Sequence, residues 1–182
     1  INGETLHIEN WTYNCKSNHF LNRESHNHSH SAQNLQFSSD GASYGVIKLP
    51  NESPIDGPFE TVVNPADPIA SPFGWHDTDG NIGPEFTITR GNNIYAREYD
   101  EGDNSQSGTD YSPDGGSSLN FNYDFDISGE PASYQDLSIT NLFYTGNMVH
   151  DIWYNYGFDE QSGNFQENNY GNGGQGGDSV IA

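Results

Sequence analysis

Three alternate histidines, His26, His28 and His30, are the residues with the clearest potential for metal chemistry. Alternate side chains of an extended segment point in the same direction, and imidazole binds zinc, copper or nickel well. The neighbouring sequence supplies no fixed fourth ligand. A histidine-rich linker with weak metal affinity is therefore the alternative to a built site.

A second candidate is the acidic stretch at residues 77–81 (DTDGN), which resembles the opening of a calcium-binding loop. The EF-hand spacing is not met, because the glycine is displaced and Ile88 stands where that pattern needs glutamate. The sequence therefore favours a plain turn here. Bound calcium is left open by this stretch and by the acidic composition of the whole chain.

The remaining reactive residues do not indicate a particular reaction. His150 beside Asp151 suggests a catalytic pair, but adjacent helical positions point about 100° apart, so we expect a structural histidine that does not face its neighbour. Cys15 has no basic cluster near it in sequence to activate a thiol. The run from Gly171 to Gly177 lacks the Lys-Ser/Thr ending of a phosphate loop. We accordingly assign no catalytic, cofactor-binding or metal-binding residue to this chain.

The elements that would position these residues are mostly short strands. β-Prone runs are separated every few residues by Pro, Gly, Asn and Asp, which is typical of irregular β structure with long loops. Residues 1–15 alternate well enough to predict strands, with Leu6, Ile8 and Trp11 among polar neighbours. The other runs lie at residues 44–49, 60–63, 86–89, 94–99, 119–125 and 178–182.

One long helix is predicted at residues 133–157. Ser133 and Asp136 fit a capping box, and Gly157 fits a C-cap. The apolar residues recur at helical spacing and predict one buried stripe. Its members are Leu142, Val149, Ile152, Trp153 and Tyr156, with Gly146 on the same side, where another backbone would approach. The fold class is therefore α+β, an irregular β-rich lobe with one long helix.

Composition excludes several partners. Five Lys and Arg face 26 Asp and Glu, giving a formal net charge of −21. Such a surface repels nucleic acid and anionic lipid, and no apolar run approaches the ~20 residues that span a bilayer. The single cysteine excludes a disulfide within the chain.

Six ordered segments from residue 44 onward are distinctive together: 49–57 (LPNESPIDG), 64–76 (NPADPIASPFGWH), 90–93 (RGNN), 139–151 (ITNLFYTGNMVHD), 156–166 (YGFDEQSGNFQ) and 168–182 (NNYGNGGQGGDSVIA). They resemble the fungalysin family of zinc metallopeptidases. Residues 10–15 (NWTYNC) are more weakly similar to the end of the family's propeptide. The resemblance divides the chain into a propeptide remnant (1–15), a His-rich linker (16–43) that would span the maturation cleavage, and an incomplete β-rich lobe (44–182).

The resemblance implies a thermolysin-like architecture, with this chain as the N-terminal lobe of a secreted, extracellular metalloendopeptidase made as a zymogen. It implies zinc bound by a missing C-terminal lobe of the same precursor, through a His-Glu-x-x-His helix that this sequence lacks. The partners expected are that lobe and a peptide or protein substrate, and the chain alone would be inactive. The long helix would buttress the cleft, with its apolar stripe partly exposed in the isolated chain.

Two other functions remain open from the sequence. A peptidase-like lobe kept as a non-catalytic extracellular module, for instance a matrix or filament subunit, suits the acidic Gly- and Asn-rich composition. A lectin-like β-domain would use aromatic and acidic residues for sugars and calcium, although nothing positions them. A downstream His-Glu-x-x-His would favour the enzyme over the module.

Overall fold

The computed structural model describes residues 40–98, 110–124, 126 and 128–182. The predicted strands of residues 1–15, with Cys15, lie outside these residues. The same holds for the three alternate histidines and for residues 16–39 of the predicted linker.

The larger sheet has three strands in the order β2-β1-β4. Strand β1 (Ser43–Ile47) runs antiparallel to β2 (Phe59–Val63), with Ser43 opposite Val63, and parallel to β4 (Asn120–Phe121). In β1 the side chains alternate between buried and half-buried, as expected for a strand with one face on a core.

A second sheet joins β3 (Ile94–Tyr95) and β5 (Val180–Ile181) in parallel. The strand predictions near residues 44, 60, 94, 119 and 178 are thus confirmed in position, although the last three strands are only two residues long. The strand predicted at 86–89 is wrong, since the structure has only an isolated bridge between Ile88 and Asp114 there. A single bridge satisfies few backbone groups, and the other backbone groups of this segment form hydrogen bonds with loops and side chains.

Helix α1 spans Gln135–Asn155 and follows a 3-10 turn at Pro131–Tyr134. The predicted capping box is wrong. Ser133 lies in the 3-10 turn, its hydroxyl donates to the Glu130 carbonyl at 2.7 Å, and no side chain caps the helix at Tyr134. The end is as predicted, because Gly157 follows the last turn with a φ of 97°, a conformation that favours glycine.

The buried face of α1 differs from the predicted stripe. The buried residues recur at intervals of three and four, and several are polar: Leu137, Ile139, Thr140, Phe143, Tyr144, Asn147 and Asp151. The five stripe residues are exposed, from 43% for Leu142 to 74% for Tyr156. Gly146 is closely approached, as expected, but by the Ile94 side chain and not by a backbone, since an added Cβ would lie 2.4 Å from Ile94 Cδ1.

The core lies between β1 and α1 and is largely aromatic. The Tyr44 ring stacks on Phe121 at 5.4 Å between centroids and contacts Trp75 at 5.5 Å and Phe143 at 6.1 Å. All four side chains are fully buried. Aromatic packing of this kind compensates for the low aliphatic content of the sequence. Within the described residues, no helix has the length and apolar character needed to cross a membrane.

Candidate functional site

The carboxylates of Asp77, Asp79 and Glu85 form the one group of metal-ligand side chains found in the described part of the chain. One ligand atom from each lies within 4.8 Å of the other two. The loop that carries them closes on itself, because the Glu85 amide donates to the His76 carbonyl and Glu85 Oε2 accepts from the Thr78 amide. The sequence identified the first two acids, and this loop closure brings in the third.

Asp77 is the buried member of this acidic cluster, with 0% of its surface exposed. Its Oδ1 accepts from the Gly80 amide at 3.0 Å and from the Tyr170 hydroxyl at 2.8 Å. Its Oδ2 has no hydrogen-bond partner among the described residues. A buried carboxylate oxygen without a partner is costly, so this atom is suited to binding a further group.

Electrostatics differ across the cluster. Burial raises the pKa of Asp77 to about 6, against the hydrogen bonds from Tyr170 and Gly80, which lower it. Hydrogen bonds from Asn81 hold the pKa of the exposed Asp79 below its usual value. Burial and the neighbouring Asp77 raise the pKa of Tyr170, so that its hydroxyl stays a donor.

The cluster also connects to the glycine-rich segment after α1. The Asn168 side chain donates to the Thr78 carbonyl at 3.0 Å, and the Tyr170 ring packs on Phe73 at 5.1 Å between centroids. An added Cβ at Gly80 would lie 3.1 Å from the Tyr170 ring, so glycine permits this contact. Two segments about ninety residues apart therefore meet at Asp77.

Asp151 is the centre of a buried hydrogen-bond network on α1. Its carboxylate accepts from Trp75 Nε1 at 2.8 Å, from the Ser71 hydroxyl at 2.7 Å and from the Asp67 amide at 3.0 Å. This single side chain ties the loop at residues 67–75 to the helix. Because each bond satisfies a backbone or core group, the arrangement is structural and leaves no free base.

The prediction that His150 and Asp151 do not face each other is wrong. His150 Nδ1 lies 2.9 Å from Asp151 Oδ1, so side chains at adjacent helical positions do meet here. His150 Nε2 lies 3.4 Å from Asn164 Nδ2. Both ring nitrogens thus meet neighbouring protein groups, which is the structural role that the sequence favoured for this histidine.

Glycine residues in the run at 171–177 build turns. Gly171, Gly173, Gly174 and Gly177 have positive φ angles. At Gly174 an added Cβ would lie 1.8 Å from the Glu160 carbonyl oxygen, so the backbones pack closely there. The side chain of buried Glu160 accepts from Asn172 Nδ2 at 2.9 Å, and an acidic neighbour of this kind does not suit a phosphate.

The exposed side of α1 forms an apolar face made of Leu142, Val149, Ile152, Trp153 and Tyr156. The Trp153 and Tyr156 rings contact each other at 6.3 Å, and Trp153 is 57% exposed. Contiguous apolar exposure of this kind marks an interaction surface more often than isolated exposed residues do.

Comparison with known proteins assigns most of the chain to one family. Residues 43–182 match the model of the fungalysin metallopeptidase family, M36. Extracellular metalloproteinase 5 of Trichophyton tonsurans is 43% identical over 77% of this chain, and probable extracellular metalloproteinase 2 of Arthroderma benhamiae is 41% identical over 77%. In each case the match covers 22% of the relative, so the chain spans about a fifth of these relatives. The chain belongs to the fungalysin metallopeptidase family.

Zinc is the metal of this family, and the residues that the structure describes do not form its site. None of the seven histidines is followed by glutamate, so the His-Glu-x-x-His motif is absent from this sequence. The acidic cluster offers only carboxylate oxygen, whereas protein zinc sites are built mainly from nitrogen and sulfur ligands. We therefore derive no zinc chemistry from the described residues.

Proposed function

We propose that this chain is the N-terminal portion of a secreted, extracellular zinc-dependent metalloendopeptidase that hydrolyses peptide bonds in peptides or proteins. The observation that carries the proposal is the family match over residues 43–182. The names of the relatives, extracellular metalloproteinases, support secretion. The acidic composition is also compatible with bound calcium.

Its partner in this proposal is a zinc-binding lobe of the same precursor. The apolar face of α1 supports this idea, because Ile152 and Trp153 are exposed although both are large and apolar. A lobe packed on this face would bury it, and the chain's share of catalysis would be to form one wall of the cleft and hold the substrate there.

The chain alone is inactive in this proposal. The sequence lacks the two histidines and the glutamate that would hold zinc and accept the proton of the attacking water. The Asp151 network would serve to fix the helix under the sheet, so that its outer face meets the zinc-binding lobe in one geometry.

The test is intact mass spectrometry of the native protein from its source, combined with zinc analysis and a peptidase assay. We expect a larger species, or a stoichiometric second chain, that carries zinc and loses activity with a zinc chelator. The separately produced 182-residue chain should be inactive. A native species of about 20 kDa without zinc would overturn the proposal in favour of a non-catalytic extracellular module.

A further inference from the structure

We propose that the acidic cluster of Asp77, Asp79 and Glu85 is a calcium site that joins the loop at residues 77–85 to the segment around Tyr170. This site is separate from the zinc site of the proposed function. Its test measures calcium binding and thermal stability and uses no peptidase assay, so it can fail or succeed independently of the proposed function.

One oxygen of the buried Asp77 side chain is unused. Oδ1 already accepts from the Gly80 amide and the Tyr170 hydroxyl, while Oδ2 has no partner among the described residues. A buried carboxylate oxygen is costly to leave without a partner. A cation beside Oδ2 would satisfy this atom.

The cluster has no cationic side chain to balance it. Three carboxylates lie together, and the lysine and the two arginines of the described residues are engaged elsewhere. Lys48 lies 3.9 Å from Glu60, the Arg90 guanidinium lies over the Phe86 ring, and Arg97 forms a buried ion pair with Asp110. A bound cation would offset the repulsion within the cluster.

The chemistry and spacing of the ligands suit calcium. All three are oxygens, which calcium and magnesium prefer to softer donors. Calcium binds oxygen at about 2.3–2.6 Å, so one ion accommodates ligand atoms up to about 5 Å apart, and the three ligand atoms lie within 4.8 Å of one another. Magnesium demands near-ideal octahedral geometry and gives up its water ligands reluctantly, so a group of three protein carboxylates suits calcium better.

Access to the site is open on one side. Asp79 and Glu85 are exposed, so an ion and its remaining water ligands can reach the buried Asp77 oxygen from solvent. A bound ion would fix Asp77 between two parts of the chain. Through the bond from Tyr170 it would also stabilise the path of residues 168–177 toward β5.

The experiment is terbium luminescence and calcium titration on the full 182-residue chain after removal of metal with a chelator. Terbium replaces calcium and is sensitised by nearby aromatic rings, here Tyr170. We expect terbium emission that calcium displaces and an equal concentration of magnesium does not. We also expect calcium to raise the melting temperature of the parent chain.

Two variants locate the site, Asp79→Asn and Glu85→Gln, each of which should weaken calcium binding about tenfold or more. Both side chains are exposed, and the amide oxygen of a glutamine in place of Glu85 could still accept from the Thr78 amide, so we expect both variants to fold. Asp126→Asn is the matched control, because Asp126 is exposed and accepts from the amide two residues later, as Asp79 does. Equal affinity in the parent and both site variants, or no calcium effect on the parent, would overturn the proposal.

Discussion

Replacing Asp151 by alanine should strongly destabilise the chain, because this carboxylate is the acceptor for two buried donors. The Trp75 indole N–H and the Ser71 hydroxyl donate to it from buried positions. Each buried donor left without an acceptor costs about 1–3 kcal/mol. The bonds to the Asp67 amide and to His150 are only partly buried and add less. We therefore expect a loss of about 3–4 kcal/mol in the free energy of unfolding.

Asp151→Asn is a graded test of the same reasoning. Its remaining oxygen can still accept from Trp75 and the Asp67 amide, which share Oδ2 in the parent. The new amide group faces the Ser71 hydroxyl, which can turn to accept. The expected loss is therefore only about 1–2 kcal/mol.

The assay is urea unfolding followed by far-ultraviolet circular dichroism, with the slope m checked to be unchanged. Asp136→Ala is the control on the same helix, since Asp136 accepts only an exposed bond from Tyr111, and should cost about 0.5–1 kcal/mol. A loss below about 1 kcal/mol for Asp151→Ala would refute the view that this residue secures the helix to the loop at 67–75.

Three further predictions concern the core, a glycine and the apolar face. Burial lowers the pKa of His76 to about 4. The contribution of the neutral imidazole to the free energy of unfolding is therefore fully present above the unfolded-state pKa of about 6.5. It should be lost, by up to about 3 kcal/mol, as the pH falls toward 4. His76→Gln should remove this contribution in urea unfolding across pH, and an unchanged pH profile would contradict it. Gly91→Ala should lower the free energy of unfolding by about 2–3 kcal/mol, because the added Cβ would lie 1.6 Å from the Trp75 carbonyl oxygen. An unchanged midpoint of urea unfolding would refute this. The exposed apolar face should make the isolated chain self-associate, and Trp153→Ser should reduce this self-association in sedimentation velocity while changing the free energy of unfolding by no more than about 0.5 kcal/mol. A large loss of stability would mean that the ring is already packed.

The sequence predicted the helix but not which side of it is buried. Apolar periodicity selected residues such as Val149 and Ile152, which the structure exposes. The buried side includes Asn147 and Asp151. The free-energy cost of burying these polar side chains is offset by hydrogen bonds from residues distant in sequence, for example from Asn93 Nδ2 to Asn147 Oδ1 at 3.1 Å. A pattern that counts only apolar residues cannot identify a face whose buried polar groups are satisfied by tertiary hydrogen bonds.

The acidic cluster shows a similar division. In the sequence, Asp77 and Asp79 resemble the opening of a calcium-binding loop, but the spacing of the following residues does not fit an EF-hand. The structure adds Glu85 and Tyr170, which approach through loop closure and through a segment about ninety residues away. Neither approach follows from local spacing. The failed EF-hand test excluded one loop geometry and did not exclude calcium.

The placement of polar and apolar groups on α1 also bears on how the chain folds. A self-contained domain would place Trp153 inside and Asp151 outside, since apolar burial stabilises and carboxylate burial costs. Here the carboxylate is fully bonded inside and the indole lies on the surface. The Asp151 network fixes the position of the helix, while the apolar face on its other side stays available for contacts outside the described residues. In the proposed precursor, packing of the zinc-binding lobe on this face would stabilise the chain and also complete the active site. Titrating the chain with that lobe should therefore raise the melting temperature and the peptidase activity together.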